Sequence, residues 1–314
     1  MLRAVPRSKS LPIRRQSGQV SPLNFTRAAK MFQRSIDSIT TTPPLGPGFA
    51  GERHKAALVV APGNFSATDP FFLMADDHVT GEGQFGEAHP HAGLETVTFM
   101  LHGTMEDAGG RLIEGDVEWM TAGSGIVHSE DAQVSTRMRL FQLWLVLPER
   151  ERNMAPRVQI LRRDEMPVHR GNGFEATVYS GRSAGIIAST KNAVPVTLVE
   201  IRLEAGAEFE QVLPSSYNGF VVVIAGEIEA GTRATALTTD KVGWTNPLAT
   251  DGESALRLKA GENGARVLLY AGQPQNIHVV AQGPFIAGSK EELARYYAAY
   301  RQGKFPNAGE MRPV

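Results

Sequence analysis

The stretch HPHAGLETVTFMLHG, residues 89–103, decides how this chain is read. His89 and His91 stand two apart, and on a strand that spacing sends both imidazoles to one face, where they can share a cation. The run LETVTFML that follows, residues 94–101, is short, apolar and rich in β-branched and aromatic residues, the texture of a strand. The two-residue step returns at His128 and Glu130 in GDVEWMTAGSGIVHSE, residues 115–130. Two barrel strands, each offering a pair of inward side chains, would bring four ligands to one point and leave coordination positions open. Strand parity also puts Glu95 on the face of His89 and His91, so two carboxylates compete for the fourth place. A His-x-His pair taken alone fits surface histidines without a role equally well.

Outward from this stretch the texture repeats. Apolar runs at 56–62 (AALVVAP), 140–147 (LFQLWLVL), 197–203 (TLVEIRL), 219–225 (GFVVVIA) and 266–271 (RVLLYA) are separated by Gly, Pro, Asn and Asp. Many short strands with turn signals between them argue for sandwiches or closed barrels over alternating βαβ units. Helical pattern emerges only near the end: Ser289-Lys290-Glu291-Glu292 is a capping box, Leu293, Tyr296, Tyr297 and Tyr300 fall at helical spacing, and Gly303 occupies the stop position. A helix over 289–302 packed on a barrel is expected, with the tyrosines as its packing face.

With 314 residues, two domains are the natural division. The charged, proline-containing stretch 148–174 reads as the connection, giving an N-terminal domain over 28–165 and a C-terminal one over 166–314. The hairpin-like stretches 102–119 and 225–244 each end in a strand with Trp, a faint internal duplication. Residues 1–27 form a basic tail that is expected to be disordered: residues 1–36 carry eight Lys and Arg and no Asp or Glu. The tail lacks a secretory apolar core, so the cytoplasm is the expected compartment, with organellar targeting by the tail as the alternative.

Composition narrows the chemistry. The chain has no cysteine, which excludes disulfides, thiolate catalysis and Cys-built metal sites. A net charge of −1 does not suit a nucleic-acid binder except through the tail, and no apolar run is long enough to span a membrane. A mononuclear divalent metal held by imidazole and carboxylate would be iron, zinc, copper, nickel or manganese before calcium or magnesium.

The spacing Gly83, His89-Pro90-His91, Glu95, Gly103 resembles the first cupin motif, and Gly115, Thr121-Ala122-Gly123, His128 resembles the second, with Thr in place of Pro and a longer gap before the His. Those departures, with DPFFLMADD (69–77), FQLWLVLP (141–148) and GPF (283–285), resemble the pirin family over about residues 55 to 305. The resemblance implies an all-β fold of two tandem cupin barrels. It implies metal ligands at His89, His91, His128 and Glu130, with Fe(II) the expected ion, and leaves Glu95 to line the barrel or orient an imidazole. Residues 206–226 hold no histidine, so the second barrel is expected to bind no metal. His54, His78, His169 and His278 lack metal spacing and are expected at the surface or as satisfied polar groups, and His102 is expected to be exposed.

Pirin-like proteins include dioxygenases that open flavonols such as quercetin with O2. By that resemblance a substrate's oxygens would chelate the metal and Glu130 would accept its phenolic proton. Phe99, Trp119, Phe141 and Trp144 are expected to line an apolar pocket for a planar aromatic. Other pirins are metal-dependent regulators that bind a transcription factor or a metabolic enzyme, so a protein partner is the competing expectation. A monomer is expected in either case.

Overall fold

The computed structural model describes residues 31–81, 83–107, 110–129, 132–134 and 137–312. The expected tail, residues 1–27, lies outside them. The first sheet has seven strands, in the order Arg157–Leu161, Val117–Thr121, Leu94–His102, Arg137–Val146, Phe71–Thr80, His54–Val60 and Gly46–Pro47. The second, ten-stranded sheet is organised around Glu253–Gly272, which pairs with Val196–Leu203 on one side and Asn218–Ala230 on the other. These are the two tandem barrels expected from the sequence.

Period-two alternation explains how each strand serves two environments. On the Arg137–Val146 strand, Phe141, Leu143 and Leu145 face the second barrel, whereas Met138 and Leu140 join a separate cluster with Val79, Met100 and Leu112. On Asn218–Ala230, Phe220 and Val222 belong to the core shared between barrels, and Val221 and Val223 to the second barrel's own interior. The shared core is aromatic: Phe71 meets Phe220 edge to face at 4.9 Å, and Phe99 meets Tyr179 at 5.2 Å. Trp119 and Trp244, which end the two duplicated hairpins, both lie in it.

The stretch 148–174 does more than connect. Arg157–Leu161 is an edge strand of the first sheet, antiparallel to Val117–Thr121, and Val168–Gly171 opens the second sheet. The chain also crosses over at both ends. Phe32–Gln33 and Ser38–Thr41, placed with the first half in the sequence reading, pair with Glu253–Gly272 and Lys241–Thr245 of the second sheet. Arg34 fastens this crossover: buried to 1% exposure, it donates to Ser254 Oγ (2.7 Å), Thr245 Oγ1 and the carbonyls of Pro214, Ser215, Tyr217 and Asn246.

At the other end, the helix Lys290–Arg301 is capped by Ser289, whose hydroxyl accepts the Glu292 N–H at 3.2 Å, and Gly303 stops it with φ of +65°. Leu293 and Tyr296 are buried with Ala92, Phe285 and Ala287, so the helix closes on the first barrel. Among the described residues no helix is long and apolar enough to cross a membrane.

Candidate metal centre

His89–His91 and Ile126–His128 form a two-stranded antiparallel ladder in which His128 stands opposite His89 and Ile126 opposite His91. The ladder separates from the large sheet because Ala92-Gly93 turns the chain. Gly93 has φ of +78°, and a Cβ there would lie 1.8 Å from the Ile286 carbonyl oxygen, so only glycine fits. The three imidazoles converge, each offering a nitrogen within 4.8 Å of the others.

Main-chain carbonyls set two of the rings. His89 Nδ1 lies 2.8 Å from the Glu87 carbonyl and His91 Nδ1 3.3 Å from that of Pro284. A carbonyl only accepts, so each Nδ1 carries the proton and each Nε2 keeps its lone pair for the cluster. His91 and His128 are 1% and 3% exposed. Burial, with the neighbouring His89 adding to it and the Pro284 carbonyl opposing it, pushes the His91 imidazole down to about 3. Burial and the nearby His91 and His89 hold His128 well below the usual histidine range. Both rings are therefore neutral at pH 7 and act as lone-pair donors.

An open cavity of ≈ 790 Å³ meets the cluster, lined by Phe49, Glu87, His89, His91, Trp144 and Pro284 among others. Trp144 sets its ring edge to face against His91 at 5.0 Å and is itself stacked on Phe72. Phe49, 68% exposed, stands at the mouth with its ring 6.5 Å from His89.

Several expectations need correction. Of the four aromatics assigned to the pocket only Trp144 lines it; Phe99, Trp119 and Phe141 are buried in the core between barrels, because their strands turn that face to the second sheet. Glu95 orients no imidazole. Its carboxylate accepts from Thr121 Oγ1 (2.7 Å) and from the Ala193 and Val194 N–H groups (3.0 and 3.1 Å), holding the segment between barrels. Parity with His89 and His91 does not carry through, because the Gly93 turn lies between them. Burial raises the Glu95 carboxyl against these hydrogen bonds. Glu130 lies outside the described residues.

The remaining histidines have other partners. His54 is buried, its Nε2 2.7 Å from Asp77 and its Nδ1 accepting the Ala50 N–H, and His78 meets Asp76 at 2.9 Å. His169 packs against Phe174, His278 is exposed, and His102 is exposed with Glu114 3.8 Å away. The sequence reading missed Phe49, which has no motif around it, and the role of Pro284, whose GPF motif was visible but whose carbonyl was not.

Two cupin barrels with, among the described residues, one histidine cluster at the mouth of the first define a bicupin. The chain belongs to the pirin family. The family model described as Pirin matches residues 54–145, and the one described as the pirin C-terminal cupin domain matches 198–306. A pirin-like protein of Solanum lycopersicum is 32% identical over 241 residues, 75% of this chain and 81% of the relative. A Pseudomonas aeruginosa protein named as a candidate quercetin 2,3-dioxygenase is 34% identical, over 75% of this chain and 86% of its own. The crystal structure of a quercetin 2,3-dioxygenase from Acinetobacter baumannii superposes with a TM-score of 0.74 at 24% identity, covering 87% of this chain and 98% of that one, and so shares the fold.

Proposed function

We propose that this chain is a metal-dependent dioxygenase that opens planar aromatic substrates of the flavonol class with O2, using one divalent ion, Fe(II) before zinc, copper, nickel or manganese. The ligands in this reading are His89, His91, His128 and Glu130, the last on its place in GIVHSE. The observation that carries it is the open cavity meeting His89 and His91 between the rings of Phe49 and Trp144: a site serving only as structure would have no need of access.

The donor set fits a cation. His91 Nε2, the nitrogen turned to the cluster, is buried without a hydrogen-bond partner. His128 Nε2 and His89 Nε2 lie 3.0 Å apart. Nitrogens this close could be shared by one bound ion, which His89, His91 and His128 would hold.

A redox-active divalent ion bound here supplies Lewis acidity toward a substrate's oxygens and a route for electrons to dioxygen. The chain does the rest. The Glu87 and Pro284 carbonyls fix two imidazoles with their lone pairs inward. Phe49 and Trp144 offer ring faces and edges to a flat substrate, and a carboxylate at Glu130 takes the substrate's hydroxyl proton on one of its oxygens.

The test is anaerobic loading with Fe(II), then oxygen uptake and carbon monoxide release on adding quercetin, comparing wild type with His89→Ala and Glu130→Ala. Uptake lost in both variants is expected. Iron retained at one per chain without uptake would sink the dioxygenase reading in favour of a redox-linked regulator with a protein partner.

A further inference from the structure

The segment that follows the second barrel, residues 283–308, returns to the histidine cluster of the first and touches both of its strands. Pro284 gives its carbonyl to His91, and Gly283 and Pro284 line the cavity. The Ile286 N–H donates to the Ala92 carbonyl at 3.1 Å, next to His91 in the chain. The Val127 N–H donates to the Pro306 carbonyl at 2.9 Å, next to His128. Phe305 fills the space over Gly125, where a Cβ would lie 2.1 Å from its ring.

An ion pair fastens the helix between these contacts. Arg152, with a side chain 3% exposed, meets Glu292 at 3.1 Å, and the same carboxylate accepts the Gly288 N–H at 2.7 Å. Two residues on, the Met154 carbonyl accepts the Ser124 N–H in the turn that leads into Ile126–His128. The helix, the 152–154 turn and the His128 strand thus form one connected path.

We propose that residues 283–308 are a positioning clamp for the cluster, so that docking of the Lys290–Arg301 helix through Arg152–Glu292 and cation binding by His89, His91 and His128 are linked. The inference rests on the reading of the cluster as a metal site. A ring held by a carbonyl keeps its lone pair aimed at the ion, and releasing the segment that carries the carbonyl frees the ring to rotate. Linkage is reciprocal: whatever factor docking adds to affinity, the ion adds to docking.

The experiment uses the full chain freed of metal and Co(II) as probe, titrated by its visible absorption. Glu292→Gln and Arg152→Met should each weaken Co(II) by about tenfold, and the double variant by no more than either. Arg257→Gln, in an exposed pair of the second barrel, should leave affinity unchanged. In the wild type, saturating Co(II) should slow hydrogen exchange of the helix amides by a similar factor; this arm needs no variant and decides the matter if a substitution unfolds the protein. Helix exchange indifferent to Co(II), or faster exchange in Glu292→Gln with wild-type affinity, would overturn the clamp while leaving the metal site standing. Failure of the wild type to bind Co(II) would overturn both.

Discussion

Glu95 and Glu130 show how much turns on single carboxylates. Glu95 is 0% exposed and spends its oxygens on Thr121, Ala193 and Val194. Replacing it with Gln puts an NH2 against N–H donors, which should cost about 1–3 kcal/mol of stability and leave metal affinity unchanged. Urea denaturation and a metal titration on the same variant separate the two effects, and a loss of affinity without a loss of stability would return Glu95 to the ligand set. The unpartnered Nε2 of His91 makes the opposite case, since a buried polar atom without a partner is costly unless something binds it.

At the scale of elements, the first barrel's site is built from pieces that are individually too short to hold it. Three-residue strands carry the histidines, flanked by the Gly93 turn and by backbone hydrogen bonds from Ile286 to Ala92 and from Val127 to Pro306. The opposite crossover depends on Arg34. Burial lowers its guanidinium to about 10, with Asp37 opposing, so it remains charged at neutral pH and its hydrogen bonds are charge-assisted. Arg34→Met should cost about 3 kcal/mol, because the carbonyls of Pro214, Ser215, Tyr217 and Asn246 lose their donor. A shift in the urea midpoint at unchanged slope checks this; a midpoint within error of wild type would mean that water replaces the guanidinium.

For the whole molecule, the core shared between barrels means that a loss at the metal end is felt throughout. The cluster makes the metal-free protein acid-sensitive. An unfolded histidine titrates near about 6.5, His91 in the fold near about 3, and His128 is also lowered. Between those values the unfolded chain binds more protons, so stability is complete above about pH 6.5 and falls as pH drops toward 3, by up to about 1.4 kcal/mol per pH unit for each ring. The raised Glu95 carboxyl works in the other direction, so the comparison to make is wild type against His91→Gln. Urea midpoints at pH 7 and pH 5 should fall less in the variant, and equal falls would remove His91 as the cause.

The sequence by itself determined the all-β texture, the closing helix with its Ser289 cap and Gly303 stop, and the three histidines that meet, because period, capping and two-residue spacing are local properties written in consecutive residues. Only the tertiary structure decided which side of each strand faces the cavity and which the second barrel, since both faces of Arg137–Val146 are apolar. It alone sent Glu95 to the segment between barrels, where one glycine turn cancels strand parity. It alone brought Pro284 to His91, 193 residues apart in the chain, because a backbone carbonyl has no sequence signature and gains its role only from where the chain returns.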